Sequence, residues 1–480
     1  MPHLLRRTTA LATLACTLGL TVAGALSLGT TPAAAQQTDA AVYDGAKARV
    51  NRSASLRALS EAIASASCRM SAGIETETAT QELADFRDDF RAILAALENG
   101  SDIMGMPGAE KRARLLNVIH ETESQWNPMD EAIAHLLDGT GSQADTAVIR
   151  TSYKPLFDQT VILAADVSGQ YSDPLELMQS DATVLNFADR QRMLVQRMTR
   201  DMCELAAGTA SEGTLEELTA TVELFDLSLT ALRDGMPAAG VKPPPSDAIK
   251  ASLSATYGVW QENHGIFDAV MAGQTPTPED VVASAQLSRD LSVAMNNAIT
   301  LYLIATPGQD GVYRVPLEVY ARTELAEWLT DPALIEALRA QNSQNADLSE
   351  ADIIALDQQW RAEAAAGDGP LIAKLLNDPV SQWLAQQQTA TAGFVTEVFV
   401  MDNKGLNVAQ SVETSDYWQG DEAKWQQTYS VGPDALHISD VEFDDSTGFY
   451  QSQASLPIQD PDTGAVIGAV TFGINVQNLM

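Results

Sequence analysis

Positive charge is scarce in this 480-residue chain: 29 Lys+Arg stand against 64 Asp+Glu, a formal net charge of -35. So acidic a chain repels phosphates and anionic head groups, which argues against nucleic acid and membrane surfaces as partners. Cysteine is nearly missing, and three residues cannot build a disulfide scaffold. The five histidines, His3, His120, His135, His264 and His437, show no metal-ligand spacing, so neither a metal nor another cofactor is expected. A Gly-x-Ser-x-Gly elbow, a P-loop, a His-Glu-x-x-His pair and a Gly-x-Gly-x-x-Gly loop are all missing, so the chain is not read as an enzyme. Long apolar runs are confined to one place. Arg6 and Arg7 precede an apolar stretch from about Thr8 to Leu28, and Ala33-Ala34-Ala35 precede Gln36. This is the pattern of a signal peptide over 1–35, and it predicts export to the periplasm. A retained anchor is the alternative; Cys16 as a lipidated residue is disfavoured by the poor Thr13-Leu14-Ala15 context.

What the chain does have is length, and at 45% apolar content it calls for two to four domains. A repeat organises the first part. Shifting the sequence by 135 positions aligns Asn51 through Gly100 with Asn186 through Gly235, and 14 of the 50 pairs are identical. They include Arg57/Arg192, Cys68/Cys203, Leu83/Leu218, Phe90/Phe225 and Gly100/Gly235. Within each copy apolar residues step by three and four, as in Leu59, Ile63, Ala66 and Met70, the period of a helix with one buried face. Gly100 and Gly235 sit where a helix would stop at a left-handed residue. Four periodic segments per copy predict two tandem antiparallel four-helix bundles, over 40–172 and 173–306. Cys68 and Cys203 read as small buried residues rather than a disulfide, and Trp126 and Trp260 as bundle core.

Both copies open on the same motif: Asn51-Arg52-Ser53-Ala54-Ser55-Leu56-Arg57 in one, Asn186-Phe187-Ala188-Asp189-Arg190-Gln191-Arg192 in the other. With Arg197, the second copy carries a local cationic cluster. "NFADRQRMLVQRM" resembles the signature of the PilJ-type domain, the N-terminal sensor region of type IV pili methyl-accepting chemotaxis transducers. That family is related to the four-helix sensor of NarX-like nitrate/nitrite receptors, and "NRSASLRALS" is closer to that version. The resemblance implies an anion site on Arg57 and Arg192, with Arg190, Asn51 and Asn186 beside them. The plainer reading pairs these arginines with Glu61 or Asp189.

After residue 311 the pattern changes. Residues 316–388 read as helices, and from Phe394 the period drops to two. Five strands are expected, at 394–400, 406–411, 437–443, 448–456 and 465–474, with turns at Asp402–Gly405 and Asp460–Gly464. The fold class is therefore α+β multidomain, its C-terminal domain, 316–480, an antiparallel sheet preceded by a long helix. "VFVMDNKGLNVAQS", "DYWQGDEAKW" and "GAVIGAVTFGIN" resemble the PAS-like extracytoplasmic sensor domains called Cache domains. That family holds its ligand between the sheet and the segment joining strands two and three, which here implies Tyr417, Trp418, Asp421 and Trp425, with Asp416. Trp418 and Trp425 can equally plug the sheet face.

Together these readings predict a periplasmic sensor. Its small-molecule ligand is an anion such as nitrate or nitrite, or an amino acid or carboxylate. A membrane receptor, kinase or cyclase is expected to carry the signal, and a homodimer is conceivable. The alternative is a scaffold built from sensor modules that no longer bind ligand.

Overall fold

The computed structural model describes residues 45–171, 179–305, 311, 313–391, 393–444 and 449–479. The expected signal peptide lies outside the described residues.

The first repeat forms four helices, α1 (Ala46–Ala72), α2 (Thr76–Asn99), α3 (Ala113–Leu137) and α4 (Gln143–Tyr171). The second forms α5 (Gln179–Ala207), α6 (Thr214–Asp234), α7 (Asp247–Asn263), one turn α8 (Asp268–Met271), and α9 (Pro278–Ala305). Equivalent aromatic pairs fill the two bundles: Phe90 stacks on Trp126 at 4.2 Å, and Phe225 meets Trp260 at 4.5 Å. Such pairs add about 0.5–1.5 kcal/mol beyond their buried area. The two helix-ending glycines work differently from the expectation. Gly100 (φ 82, ψ 161) and Gly235 (φ 82, ψ 147) are not left-handed caps. Each turns the chain into a short excursion closed by a bridge, Ser101 to Met106 or Met236 to Val241. A Cβ on Gly100 would stand 2.6 Å from the Gly108 backbone, so only glycine fits.

The bundles lie side by side, joined by their first helices. α1 packs on α2 and α4 of its own bundle and on α5 of the other; α5 likewise packs on α6 and α9. Buried on nearly every side, α1 carries small residues where neighbours approach: Ala48, Ser53, Ala54, Ala62, Ala64, Ser65, Ala66 and Ser67. Contacts run level with level along the pair. Asn51 and Ser55 meet Arg192, Arg57 meets Asp189, Glu61 meets Arg197, and Cys68 meets Cys203. The two helices therefore run parallel, and equivalent positions face each other as across a two-fold axis. At Cys68 and Cys203 the expectation of separate buried thiols is overturned. They form a disulfide, with Cα atoms 6.2 Å apart and a sequence separation equal to the repeat offset of 135. The two-fold arrangement brings equivalent residues together, a consequence that a linear reading of the repeat does not contain.

The C-terminal part begins with five helical segments rather than one long helix: α10 (Arg314–Tyr320) continuing through a π-turn into α11 (Ala326–Trp328), then α12 (Pro332–Gln344), α13 (Glu350–Ala366), α14 (Pro370–Leu376) and α15 (Pro379–Ala390). Prolines at the start of α12, α14 and α15 cannot continue a preceding helix, and Asp331, Ser349 and Asp378 cap the new ones. The sheet has six strands, not five: β1 (Val395–Met401), β2 (Asn407–Gln410), β3 (His437–Ile438), β4 (Glu442–Asp444), β5 (Phe449–Gln459) and β6 (Val466–Asn475), with one helical turn, α16 (Ala423–Gln426), between β2 and β3. All pairings are antiparallel in the order β2-β1-β6-β5-β3, and β4 also pairs with β5, so the single third strand of the sequence reading is broken in two.

Strand alternation sorts the two sheet faces. Val398, Val400, Ala454, Leu456, Val470 and Phe472 join the core beneath the helices, where Trp328 packs edge-on against Phe472. The opposite positions, Glu397, Phe399, Gln451, Gln453, Thr471 and Gly473, face away from them. Among the described residues no helix is long and apolar enough to cross a membrane.

Candidate functional site

The arginines singled out by the motif converge at the α1–α5 seam. Arg57 Nη2 donates to Asp189 Oδ2 at 2.8 Å, and Arg192 Nε donates to Asp189 Oδ1 at 2.9 Å. One buried carboxylate thus lies between the two equivalent guanidinium groups. Arg192 also donates to Asn296 Oδ1 (2.7 Å), Ser55 Oγ (3.0 Å) and Asn51 Oδ1 (3.4 Å). Arg190 stands nearby, half-buried. Burial lowers its pKa, helped by Arg57 and Arg197. The Asn186 side chain lies outside the described residues. The pairing with Asp189 that the sequence offered as the plainer reading is the one the fold adopts.

On the other side, Arg192 and Asn51 line a cavity of about 570 Å³ where the bundles meet the sheet domain, together with Arg52, Asp89, Asn296, Thr300, Tyr320, Phe394 and Gln477. Burial brings the Arg52 pKa down to about 10, with Asp89 opposing and Arg192 adding to the shift. Arg52 Nη2 donates to the Gln477 carbonyl at 2.9 Å. The segment after β6 is thereby seated on α1.

Further along the seam, Arg197 and Arg200 share Glu61, and Arg200 also pairs with Asp201 and Glu217. Glu61, Arg200 and Asp201 are each no more than 1% exposed. Burial pushes the Asp201 carboxyl from 3.8 up to about 8, although Arg200 pulls the other way. A carboxyl raised in the folded state binds a proton that the unfolded chain releases. Its stabilisation is full below about pH 4 and is lost as pH rises to about 8, by at most ~1.4 kcal/mol per unit. Thermal melts of the wild type and of Asp201→Asn are expected to diverge across that range, the wild type falling more steeply. Parallel curves would remove Asp201 from the account.

The second site lies on the free face of the sheet. A cleft of about 700 Å³ is bounded by Glu397 and Phe399 of β1, Gln451 and Gln453 of β5, His437, Glu442 and Asp444 of β3 and β4, and, from the β2–β3 connection, residues 413–416, Gln419 and residues 422–424. Asp416 lines it and pairs with Arg361 at 3.0 Å. The other residues expected from the Cache resemblance do not line the cleft. Tyr417 is buried and stacks on Trp360, with ring centres 5.5 Å apart, in a separate small core. Trp418 packs on that core and donates Nε1 to the Lys404 carbonyl. Trp425 stacks on Tyr429 and donates to the Asp402 carbonyl. Asp421 is exposed outside the cleft. Trp425 packs on Phe399, Met401 and Ala469 of the sheet, whereas Trp418 packs on the separate core around Trp360. Missed by the sequence reading were Glu397, an acid inside the apolar run "VTEVFV", and the alternating Gln451 and Gln453. A polar residue at every second strand position was the available signal.

Among the described residues, one group has ligand atoms close enough to hold a metal: Glu98, His120 and Glu123, all within 4.8 Å of one another. Their spacing in sequence gave no sign of it. It is a surface ion pair, His120 Nε2 to Glu98 Oε1 at 2.8 Å, and this contact raises the His120 pKa.

Residues 40–151 and 175–285 both match the model of the PilJ family, "Type IV pili methyl-accepting chemotaxis transducer N-term". No curated protein matches the chain.

Proposed function

Because residues 40–151 and 175–285 are tandem PilJ-type helical domains followed by an antiparallel sheet domain, we propose that the chain is an exported, periplasmic sensor that binds a small solute in its sheet domain and reports through a separate membrane receptor, kinase or cyclase. The observation that carries this reading is the cleft between the sheet and the β2–β3 connection, the place the Cache resemblance assigns to ligand. A route to the helices supports it. Strand β6 runs behind the cleft between β1 and β5, and its continuation 476–479 contacts the excursion after α2. There a Cβ on Gly105 would lie 1.9 Å from the Leu479 carbonyl oxygen, so the two segments are in close contact. Tightening at the cleft would thus bear on the start of α1.

In this reading the bundles relay rather than receive, since the Asp189 carboxylate already accepts from both arginines that the family resemblance assigns to an anion. The same observation favours the runner-up, a scaffold without ligand. A thermal-shift panel of nitrate, nitrite, amino acids, short carboxylates and amines separates them. At least one class is expected to raise the melting temperature, with slower amide exchange in 413–424. Silence across every class supports the scaffold and sinks the sensor.

A further inference from the structure

The cleft has a definite charge. Glu397, Glu413, Asp416, Glu422, Glu442 and Asp444 line it, and Lys424 is the only lysine or arginine among its lining residues. Lys424 already pairs with Glu422 at 3.0 Å. Acidic residues on an acidic protein are unremarkable alone, but three features show a built site.

A network crosses three strands: Gln451 Nε2 donates to Asp444 Oδ2 (2.8 Å) and Glu397 Oε1 (3.2 Å), and Gln453 Nε2 donates to Glu397 Oε1 (3.0 Å). Beneath it lies Gly473 of β6. A Cβ there would meet Glu397 Cγ at 2.5 Å, Thr396 Oγ1 at 2.6 Å and Gln451 Oε1 at 3.0 Å, so the arrangement exists only over a glycine. On the facing wall, Gln419 is 1% exposed. Its Nε2 donates to the Asp416 carbonyl (3.1 Å) and to Asp416 Oδ1 (2.6 Å), which fixes the amide. Its Oε1 is left buried with no donor among the described residues. A buried acceptor without a donor is costly, and an N–H brought by a ligand would offset that cost.

The kind of cation follows from the spacing. Among the described residues no three of these carboxylates bring ligand atoms within 4.8 Å of one another, so they do not form a cage for one metal ion. They are spread around about 700 Å³ whose lining also includes the Phe399 and Phe443 rings, with Lys424 Nζ 5.1 Å from the Phe399 ring centre. Separated carboxylates in a cleft that also presents apolar and aromatic surface suit ammonium groups joined by methylene chains.

We propose, resting on the sensor reading above, that this cleft binds a small aliphatic di- or polyamine, one ammonium at Glu397, Glu442 and Asp444 and another at Asp416 and Gln419. Burial raises the Glu397 carboxyl above its ordinary range. A neighbouring ammonium opposes that shift by favouring the charged carboxylate.

Calorimetric titration of the mature chain with putrescine and spermidine tests this, at roughly 0.15 M salt, where the diffuse attraction of an acidic protein is screened beyond ~8 Å. Saturable binding at one site is expected, undisturbed by equimolar MgCl2. Asp444→Asn and the exposed Glu442→Gln should each weaken it about tenfold, the equivalent of ~1.4 kcal/mol. Glu442 lies at the surface, so its variant folds whatever its role. No saturable heat, equal displacement by magnesium, or full affinity in both variants would overturn the proposal. If instead carboxylates or nitrate bind and protect 413–424, the sensor reading survives and the polyamine assignment fails. If nothing binds, both fail.

Discussion

Asp189→Asn is expected to destabilise the protein by about 3–5 kcal/mol, the usual consequence of removing one partner from a buried ion pair, and to make its stability depend on added anions. The Asp189 side chain is 2% exposed, and those of Arg57 and Arg192 are 13% and 15% exposed. Without the carboxylate, two guanidinium groups face one another across α1 and α5, each with fixed donors and a shared missing acceptor. Nitrate, chloride or sulfate entering that space supplies the charge. The variant should therefore regain melting temperature on titration with these anions while the wild type hardly responds. Equal anion responses in the two proteins would mean that Asp189 is not the internal counter-ion. The Asp189→Asn and Arg57→Ala double variant gives the control: with one guanidinium gone, it should lose less than the sum of the single changes.

The second large effect belongs to the disulfide. Cys68 and Cys203 close a loop of 135 residues, and the chain-entropy model gives such a closure about 5 kcal/mol of stabilisation. Cys68→Ser, or reduction of the wild type, is expected to lower the melting temperature by on the order of 10 °C, taking roughly 2–4 °C per kcal/mol for larger domains. Reductant should leave the variant unchanged. A reduced wild type that melts with the oxidised protein would show that packing along α1 and α5 alone holds the two bundles together. The bond also agrees with export, since disulfides persist in oxidising compartments.

How far the sequence foretold this differs between the two halves. In the helical half, the repeat, the eight long helices and the Phe–Trp core pairs are written in apolar spacing and internal identity, which are local properties. The two-fold seam is not, because it is a relation between surfaces. Cys68 and Cys203 looked like buried thiols until the copies were laid against each other. The acid between Arg57 and Arg192 was visible as Asp189, but which of several acids would pair with them depended on how α1 meets α5. In the sheet half, period-two alternation and the Asp402–Gly405 and Asp460–Gly464 turns marked the fold. The cleft was not legible because aromatic residues drew attention: Tyr417, Trp418 and Trp425 pack within the connection, while Glu397, Gln451 and Gln453 on the strands line the cleft. Their role emerges only when β1, β5 and β6 are placed in register, with Gly473 opposite Glu397 and Gln453.

The central claim is that one chain contains both halves of a two-fold helical pair, equivalent residue against equivalent residue. Mass mapping of the protein after thiol alkylation and digestion under non-reducing conditions tests it most directly. The account predicts one cross-linked peptide pair joining Cys68 to Cys203 within a single chain; alkylated free thiols at both positions, or a bond from Cys68 to Cys68 of a second chain, would contradict it.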